Sequence, residues 1–400
     1  MTGRAGPLAG MRVLDLTTVV VGPTCTMRLA QYGAEVIKVE APEGDLFRRV
    51  AGPSPTGEHG GGYLHMNRDK RAVCLDLKQP GARAALLRVV DGCDVFVSNI
   101  RPDALARLGL DAATLRASRP ALVHCLITGF GPGGPYRGKP AYDAVIQSLS
   151  GITGLAERRD GEPRFAPMLM CDRVVGEIAA GAIAAALAGR AATGMGTAIE
   201  VPMHETMAAF VLQEHLGPAT FDPPLGPIGD SRTLDPGQQP MRTTDGWLTV
   251  SATGDKQAVA FLRAAGRPDL AADPRFATAA GRYEHTRTWT TLRAELLATR
   301  STAEWLLILE AADVPCTPCH SLESLVEDAQ LVAVGLVGTD THPTEGTVRS
   351  IRAPVLFDGT TAPLGRAAAP RGTDTRAVLT EAGLSDEEID MLLEAHAAFC

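Results

Sequence analysis

Arg12-Val13-Leu14-Asp15-Leu16 and Ala34-Glu35-Val36-Ile37-Lys38-Val39-Glu40 are two short apolar runs, separated by a helical stretch, Cys25 to Tyr32, that Gly33 ends. Runs of that length, rich in Val and Ile and closed by glycine, read as buried strands. The pattern repeats downstream. A Gly/Pro-rich loop, Pro42 to Gly62, leads to a strand at Val73 to Leu77 and a helix at Gly81 to Val90. A strand at Val95 to Ser98, a helix at Pro102 to Leu108 and a strand at Leu122 to Ile127 follow. Strands alternating with helices imply a parallel sheet covered on its faces. The expected fold class is therefore α/β, with a Rossmann-like large domain whose ligand lies beyond the carboxyl ends of the strands.

The second half changes rhythm. Arg173 to Leu187 is an Ala-rich helix whose Gly176 and Gly181 point to close packing against another backbone. Asp222 to Pro240 is rich in Pro and Gly and reads as a linker. Trp247 to Ser251 is a strand, and amphipathic helices run from there to about Val326, a smaller α+β domain. The expected division is 1–221 for the first part of the large domain, 222–240 for the linker and 241–326 for the small domain. Residues 327–400 form a further linker and a return to the large domain. From Thr347 the chain goes back to strand and loop. It closes on a helix after Ser385, whose Ser-Asp-Glu-Glu start is a capping box.

The 400 residues are 45% hydrophobic and 21% charged, with a formal net charge of -8 and no basic block. Nucleic acid is thereby disfavoured as a partner. Met1 to Gly10 holds Arg4 but no apolar run, and Val13 to Val21 is too short and polar for a secretory leader. Ile178 to Leu187 is too short to span a bilayer. These features point to a cytoplasmic protein with no membrane partner, and the eight scattered cysteines fit reduced thiols there.

Several motifs fall short. The first strand-to-helix turn, Thr17-Thr18-Val19-Val20-Val21-Gly22-Pro23, has one glycine where a dinucleotide site needs three. Gly133 to Pro140 nearly spells a phosphate loop, but Pro140 offers no hydroxyl for magnesium, so an ordinary surface turn is expected. Cys316-Thr317-Pro318-Cys319-His320 has the spacing of a haem attachment, without a second Cys pair for zinc. It reads as a buried turn. The nine histidines show no metal-binding spacing, and no Gly-x-Ser-x-Gly elbow occurs. No metal site and no tightly bound cofactor is expected. Asp172 stands out. It follows the run Phe165 to Cys171 and opens the small-residue helix. It reads either as a helix N-cap or as a carboxylate nucleophile that the helix dipole keeps ionised.

Taken together, several segments resemble the family III CoA-transferases. They include Pro7-Leu8-Ala9-Gly10-Met11-Arg12-Val13-Leu14-Asp15-Leu16, Gly33-Ala34-Glu35-Val36-Ile37-Lys38-Val39-Glu40, Asn67-Arg68-Asp69-Lys70-Arg71 and Pro140-Ala141-Tyr142-Asp143 with Gln147. Ala272-Asp273-Pro274-Arg275-Phe276 and Val314-Pro315-Cys316-Thr317-Pro318 extend the likeness into the second domain. The resemblance implies a CoA thioester as substrate, an acyl-CoA donor, a carboxylic acid acceptor and Asp172 as catalytic nucleophile. It implies CoA contacts at Val19, Val21, Leu75, Lys78, Asn99, Ile100, Arg107 and Leu108, and a substrate pocket at Val20, Tyr63 and Tyr142. It also implies a homodimer of interlocked chains. Backbone N–H groups at the start of the Asp172 helix would hold the oxyanion.

Departures narrow the implied substrate. Val20 stands where formate-transferring members carry a polar amide. Their glycine-rich lid has Gly237-Gln238-Gln239 as its nearest counterpart. Both point to a larger or less polar acyl group. Arg48, Arg68 and Arg71 are candidates for a second substrate carboxylate, or are structural. The competing readings are an α-methylacyl-CoA racemase-like isomerase and a non-catalytic CoA-binding protein. The racemase reading suffers because Tyr142 stands at the position of that reaction's His, and a phenol is a poor base.

Overall fold

The computed structural model describes residues 6–50 and 52–400; Arg4 lies outside the described residues. The chain divides into two compact units. One comprises Met1–Ser150, Ala166–Ala209 and Ala329–Cys400, the other Gly151–Phe165 and Phe210–Asp328. The second unit takes in residues 151–165 and 210–240, which the sequence reading assigned to the large domain and to a linker.

The first unit is built on β1 (Arg12–Leu16), α1 (Val21–Gln31), β2 (Glu35–Glu40), α2 (Phe47–Val50), α3 (Gly61–Asn67), β3 (Lys70–Leu75), α4 (Pro80–Asp91), β4 (Val95–Ser98), α5 (Pro102–Arg107), α6 (Ala112–Ser118), β5 (Val123–Thr128) and α7 (Asp143–Leu149). After α8 (Ile152–Asp160), which belongs to the second unit, come α9 (Met170–Thr193) and β6 (Ala198–Pro202). The strands lie in the order β3-β2-β1-β4-β5-β6, all parallel. The C-terminal strand Ala398–Phe399 adds antiparallel to β3. Strand order reverses between β1 and β4, so the crevice for a ligand opens beyond Leu16 and Ser98.

The strands read as continuous apolar runs because helices cover both faces. Leu14, Ile37, Val73 and Phe96 pack with Leu86, Val90 and Ile389 in one core. Polar side chains are buried here too. Lys70 donates to Asp15 Oδ2 and Thr26 Oγ1, at 3.0 and 2.7 Å. Burial pushes Asp15 up, but Lys70, Lys38 and two threonine hydroxyls outweigh it and hold it at about 2. That network explains why β3 starts at Lys70, three residues before the expected Val73. α1 likewise starts at Val21 rather than Cys25, because Pro23 is tolerated in a first turn whose N–H groups have no intrahelical partner. The expected loop from Pro42 to Gly62 contains α2 and the start of α3. The C-terminal helix Asp386–Glu394 has the capping box expected at Ser385, closed by Glu388.

α9 is longer than the expected Arg173 to Leu187. Its 24 residues make it long and apolar enough to cross a membrane by length and composition. In this fold it packs along α1 instead. A Cβ on Gly176 would lie 2.7 Å from the Val21 carbonyl oxygen and 2.8 Å from Thr24 Cβ. Only glycine permits that approach.

In the second unit, Met241–Arg242, Trp247–Val250 and Cys316–Pro318 form an antiparallel sheet, with helices packed around Phe261, Trp289 and Trp305. Cys316–Pro318 is thus a partly exposed strand and not the buried turn expected, and His320 bonds Ser324 and Asp328. All eight cysteines are free, and among the described residues no His/Cys/Asp/Glu group is placed to hold a metal.

Candidate active site

A pocket of about 200 Å3 opens where the strand order reverses. Thr18 to Val21, after β1, form one wall, and Asn99 to Pro102, after β4, another. Gly129 and Phe130 follow β5, Gly138 to Tyr142 precede α7, and Asp172 opens α9. Seven residues expected at the site meet here: Val19, Val20, Val21, Asn99, Ile100, Tyr142 and Asp172.

Asp172 is the third residue of α9, not its N-cap, and is 6% exposed. Its carboxyl is pushed up to about 7, first by burial and then by the charge of Asp143, against a smaller opposing pull from Arg173. The expectation from position alone was that the helix dipole keeps it ionised; burial and Asp143 instead raise it to about 7. The start of α9 is also already engaged. Asp143 Oδ1 accepts the N–H groups of Cys171 at 2.8 Å and Asp172 at 3.1 Å, and its Oδ2 accepts Gln147 Nε2 at 2.6 Å. These amides do not serve as the oxyanion donors expected of them. Asp143 and Gln147 carry part of the family likeness, yet their role depends on α7 folding back onto α9. That return leaves no local signature.

The turn before α1 is braced from three sides. Thr18 donates its N–H to Asn99 Oδ1 at 3.0 Å and accepts Asn99 Nδ2 at 2.9 Å. Val19 has a φ of 70°, in the left-handed region that a β-branched residue rarely enters. Its N–H is held by Asp45 Oδ1 at 2.9 Å. Lys38 Nζ joins Asp45 to the Thr17 carbonyl, at 3.0 and 2.8 Å. This strained turn aims the first residues of α1 into the pocket.

Two pocket cations, Arg101 and Lys139, went unread in the sequence. The only signals were adjacency to Ile100 and a place in the near-miss phosphate loop. That loop is indeed an exposed turn, and its last residues form the pocket wall.

Other expected residues lie elsewhere. Tyr63 is fully buried, its hydroxyl donating to Glu40 Oε1 at 2.9 Å beneath the Arg48 guanidinium. Leu75 belongs to the apolar core. Lys78, Arg107 and Leu108 do not line the pocket. Arg48 pairs with Glu40, Arg68 with Asp340, and Arg71 with Glu35 and Glu381. These pairs are what the structural reading of the three arginines requires, since a guanidinium matched to a carboxylate has little left for a ligand.

Parallel strands in this order, with a buried carboxylate and two cations at the reversal point, define an α/β protein that handles an anionic ligand next to a potential nucleophile. Residues 8–375 match the CoA-transferase family III model, and the chain belongs to that family. It is an enzyme that transfers CoA between an acyl-CoA and a carboxylic acid. It is similar to the succinate–glutarate CoA-transferase of Agrobacterium fabrum, 32% identical over 95% of this chain and 97% of that one. The formyl-CoA:oxalate CoA-transferase of Streptomyces avermitilis is 31% identical, over 96% and 98%. The crystal structure of a CaiB/BaiF family protein from Brucella suis superposes with a TM-score of 0.77 at 29% identity, covering 94% of this chain and 99% of that one.

Proposed function

We propose that Asp172 is the nucleophile of a ping-pong CoA transfer with covalent intermediates. The carrying observation is a buried carboxylate, raised to about 7, in the same pocket as two cations. A carboxylate of that basicity is still substantially ionised at neutral pH and is a better nucleophile than one near 3.8.

The Asp172 carboxylate attacks the thioester carbonyl, the C–S bond breaks, and CoA leaves as the thiolate. The thiolate attacks the aspartyl carbonyl of the resulting anhydride and expels the donor acid, leaving an aspartyl-CoA thioester. The acceptor carboxylate then displaces the thiolate to form a second anhydride. Attack of the thiolate on the acceptor's carbonyl frees Asp172 and yields the new acyl-CoA. Each intermediate retains the energy of the thioester, provided water is kept out.

Arg101 and Lys139 suit the phosphates of CoA. The N–H groups of Val21 and Gly22, at the start of α1, are the donors best suited to the oxyanion, since the α9 amides are taken by Asp143. Val20, Ile127, Phe130 and Met203 give the pocket an apolar part, which supports an acyl group less polar than formyl. Free cysteines throughout agree with a reducing compartment. Exposed Phe221, Leu225, Leu307 and Leu322 support a homodimer of interlocked chains; light scattering at a mass twice 42.0 kDa would meet that expectation.

The mechanism is tested by incubating the protein with acyl-CoAs, trapping with hydroxylamine and analysing peptides by mass spectrometry. Modification at Asp172 is expected. Transfer activity retained by Asp172→Ala would overturn the proposal.

A further inference from the structure

Trp289, Arg293 and Leu297 recur at four-residue spacing on the helix Thr286–Leu297, and all three are buried. Trp289 and Leu297 belong to the apolar core of the second unit, where Trp289 packs on Phe261 and Phe276. An arginine between them is out of keeping with an apolar helix face. Burying a guanidinium is costly unless an anion compensates it.

The guanidinium lies over the Trp289 ring, 5.3 Å from its centre, but no anionic side chain meets it. Arg293 is 4% exposed. Its Nη1 donates to the Val250 carbonyl at 3.2 Å and its Nη2 to Gln238 Oε1 at 2.8 Å, both neutral acceptors. Its Nε has no partner. Most of its five N–H donors are unspent. Among the described residues no carboxylate pairs with it. Asp235 pulls on it electrostatically but gives its oxygens to Arg287, Thr290 and the Gly237 N–H. Burial and the charge of Arg282 lower the Arg293 guanidinium to about 10, as expected of a cation without a counter-charge.

Arg293 lines a cavity of about 340 Å3 formed wholly by the second unit. None of its residues lines the Asp172 pocket. Its other cations, Arg232 and Arg282, are neutralised by Asp230 and Asp255, and no acidic residue lines it. Ser251, Thr286 and Tyr283 supply hydroxyls, while Val250 and Trp289 supply apolar wall.

We propose that this cavity is a binding site for a small organic carboxylate, held by Arg293 and the surrounding hydroxyls. One uncompensated positive charge matches one carboxylate. Inorganic phosphate has no apolar part to meet the wall of Val250 and Trp289, whereas an organic carboxylate does.

The test uses the full-length Asp172→Ala protein, so that binding is read without turnover. Acetate, succinate and inorganic phosphate are titrated separately, by calorimetry and by tryptophan fluorescence. Saturable binding of acetate and succinate is expected. Adding Arg293→Leu, which restores the apolar face, should weaken it about tenfold or more. Hydrogen exchange on the protein without Arg293→Leu gives a second readout, with succinate slowing amides in residues 282–293. Unchanged affinity in Arg293→Leu, no slowing in 282–293, or saturation by phosphate alone would each overturn the assignment. Failure to label Asp172 with an acyl-CoA would leave these readouts untouched, so the two proposals fail separately.

Discussion

Asp143 caps the helix that carries Asp172: one of its oxygens holds the N–H groups of Cys171 and Asp172, at 2.8 and 3.1 Å. Two carboxylates thereby share one helix start, and the charge of Asp143 adds to burial in raising Asp172. In the proposed mechanism the reacting form of Asp172 is the ionised one, so kcat/KM should rise with pH through about 7. Asp143→Asn keeps an acceptor oxygen but removes the charge. The acid limb of the pH profile should move towards lower pH, and an unmoved limb would show that Asp143 does not set the basicity of Asp172.

The same shift makes a statement about stability. The folded-state pKa of Asp172, about 7, lies above its ordinary 3.8. The contribution of the protonated carboxyl is therefore fully present below 3.8 and lost as pH rises through 7. Asp172→Asn should leave the unfolding free energy little changed at pH 4 and raise it by up to about 4 kcal/mol at pH 8. Urea melts at the two pH values measure this.

Gly176 lies one turn beyond Asp172, where α9 touches α1. Gly176→Ala would press a methyl group into the Val21 carbonyl and Thr24. A cost of about 1–3 kcal/mol is expected from overpacking, despite the better helix propensity of alanine. Because the strain falls on the first turn of α1, kcat should drop more than KM changes. Steady-state kinetics beside a thermal melt separates the two effects.

Asn99, expected to touch CoA, lines the pocket, and its side chain also braces Thr18 with two hydrogen bonds. Asn99→Ala should destabilise the ligand-free protein by about 1–2 kcal/mol. A residue that only bound ligand would leave the free protein's melting temperature unchanged.

Arg101→Ala and Lys139→Ala should each raise KM for acyl-CoA about tenfold with kcat little altered. A pantetheine thioester, which lacks the nucleotide and its phosphates, should not distinguish these variants from the parent. If it does, the cations act on the acyl end.

The α/β class and most strand positions in the first unit were legible because buried parallel strands are apolar along their whole length, as in Val36-Ile37-Lys38-Val39. Where the reading slipped, a polar residue was buried by a distant partner: Lys70 extends β3 because Asp15 and Thr26 await it. Asp172 itself was legible as a helix-start carboxylate, and the ordered set of segments spread along the chain was enough to indicate the family.

Its protonation was not legible. The sequence by itself determined the order of strands and helices, the glycine that lets α9 approach α1, and the place of Asp172 at the start of α9. Tertiary structure alone decided that Asp143 takes the helix amides, that Arg48, Arg68 and Arg71 are matched internally, that Tyr63 is sealed away from the pocket, and that Arg293 is buried without a counter-charge. Periodicity and capping are local and can be read along the chain. Ion pairing and desolvation depend on which distant side chains share the same few ångströms, and folding alone brings them there.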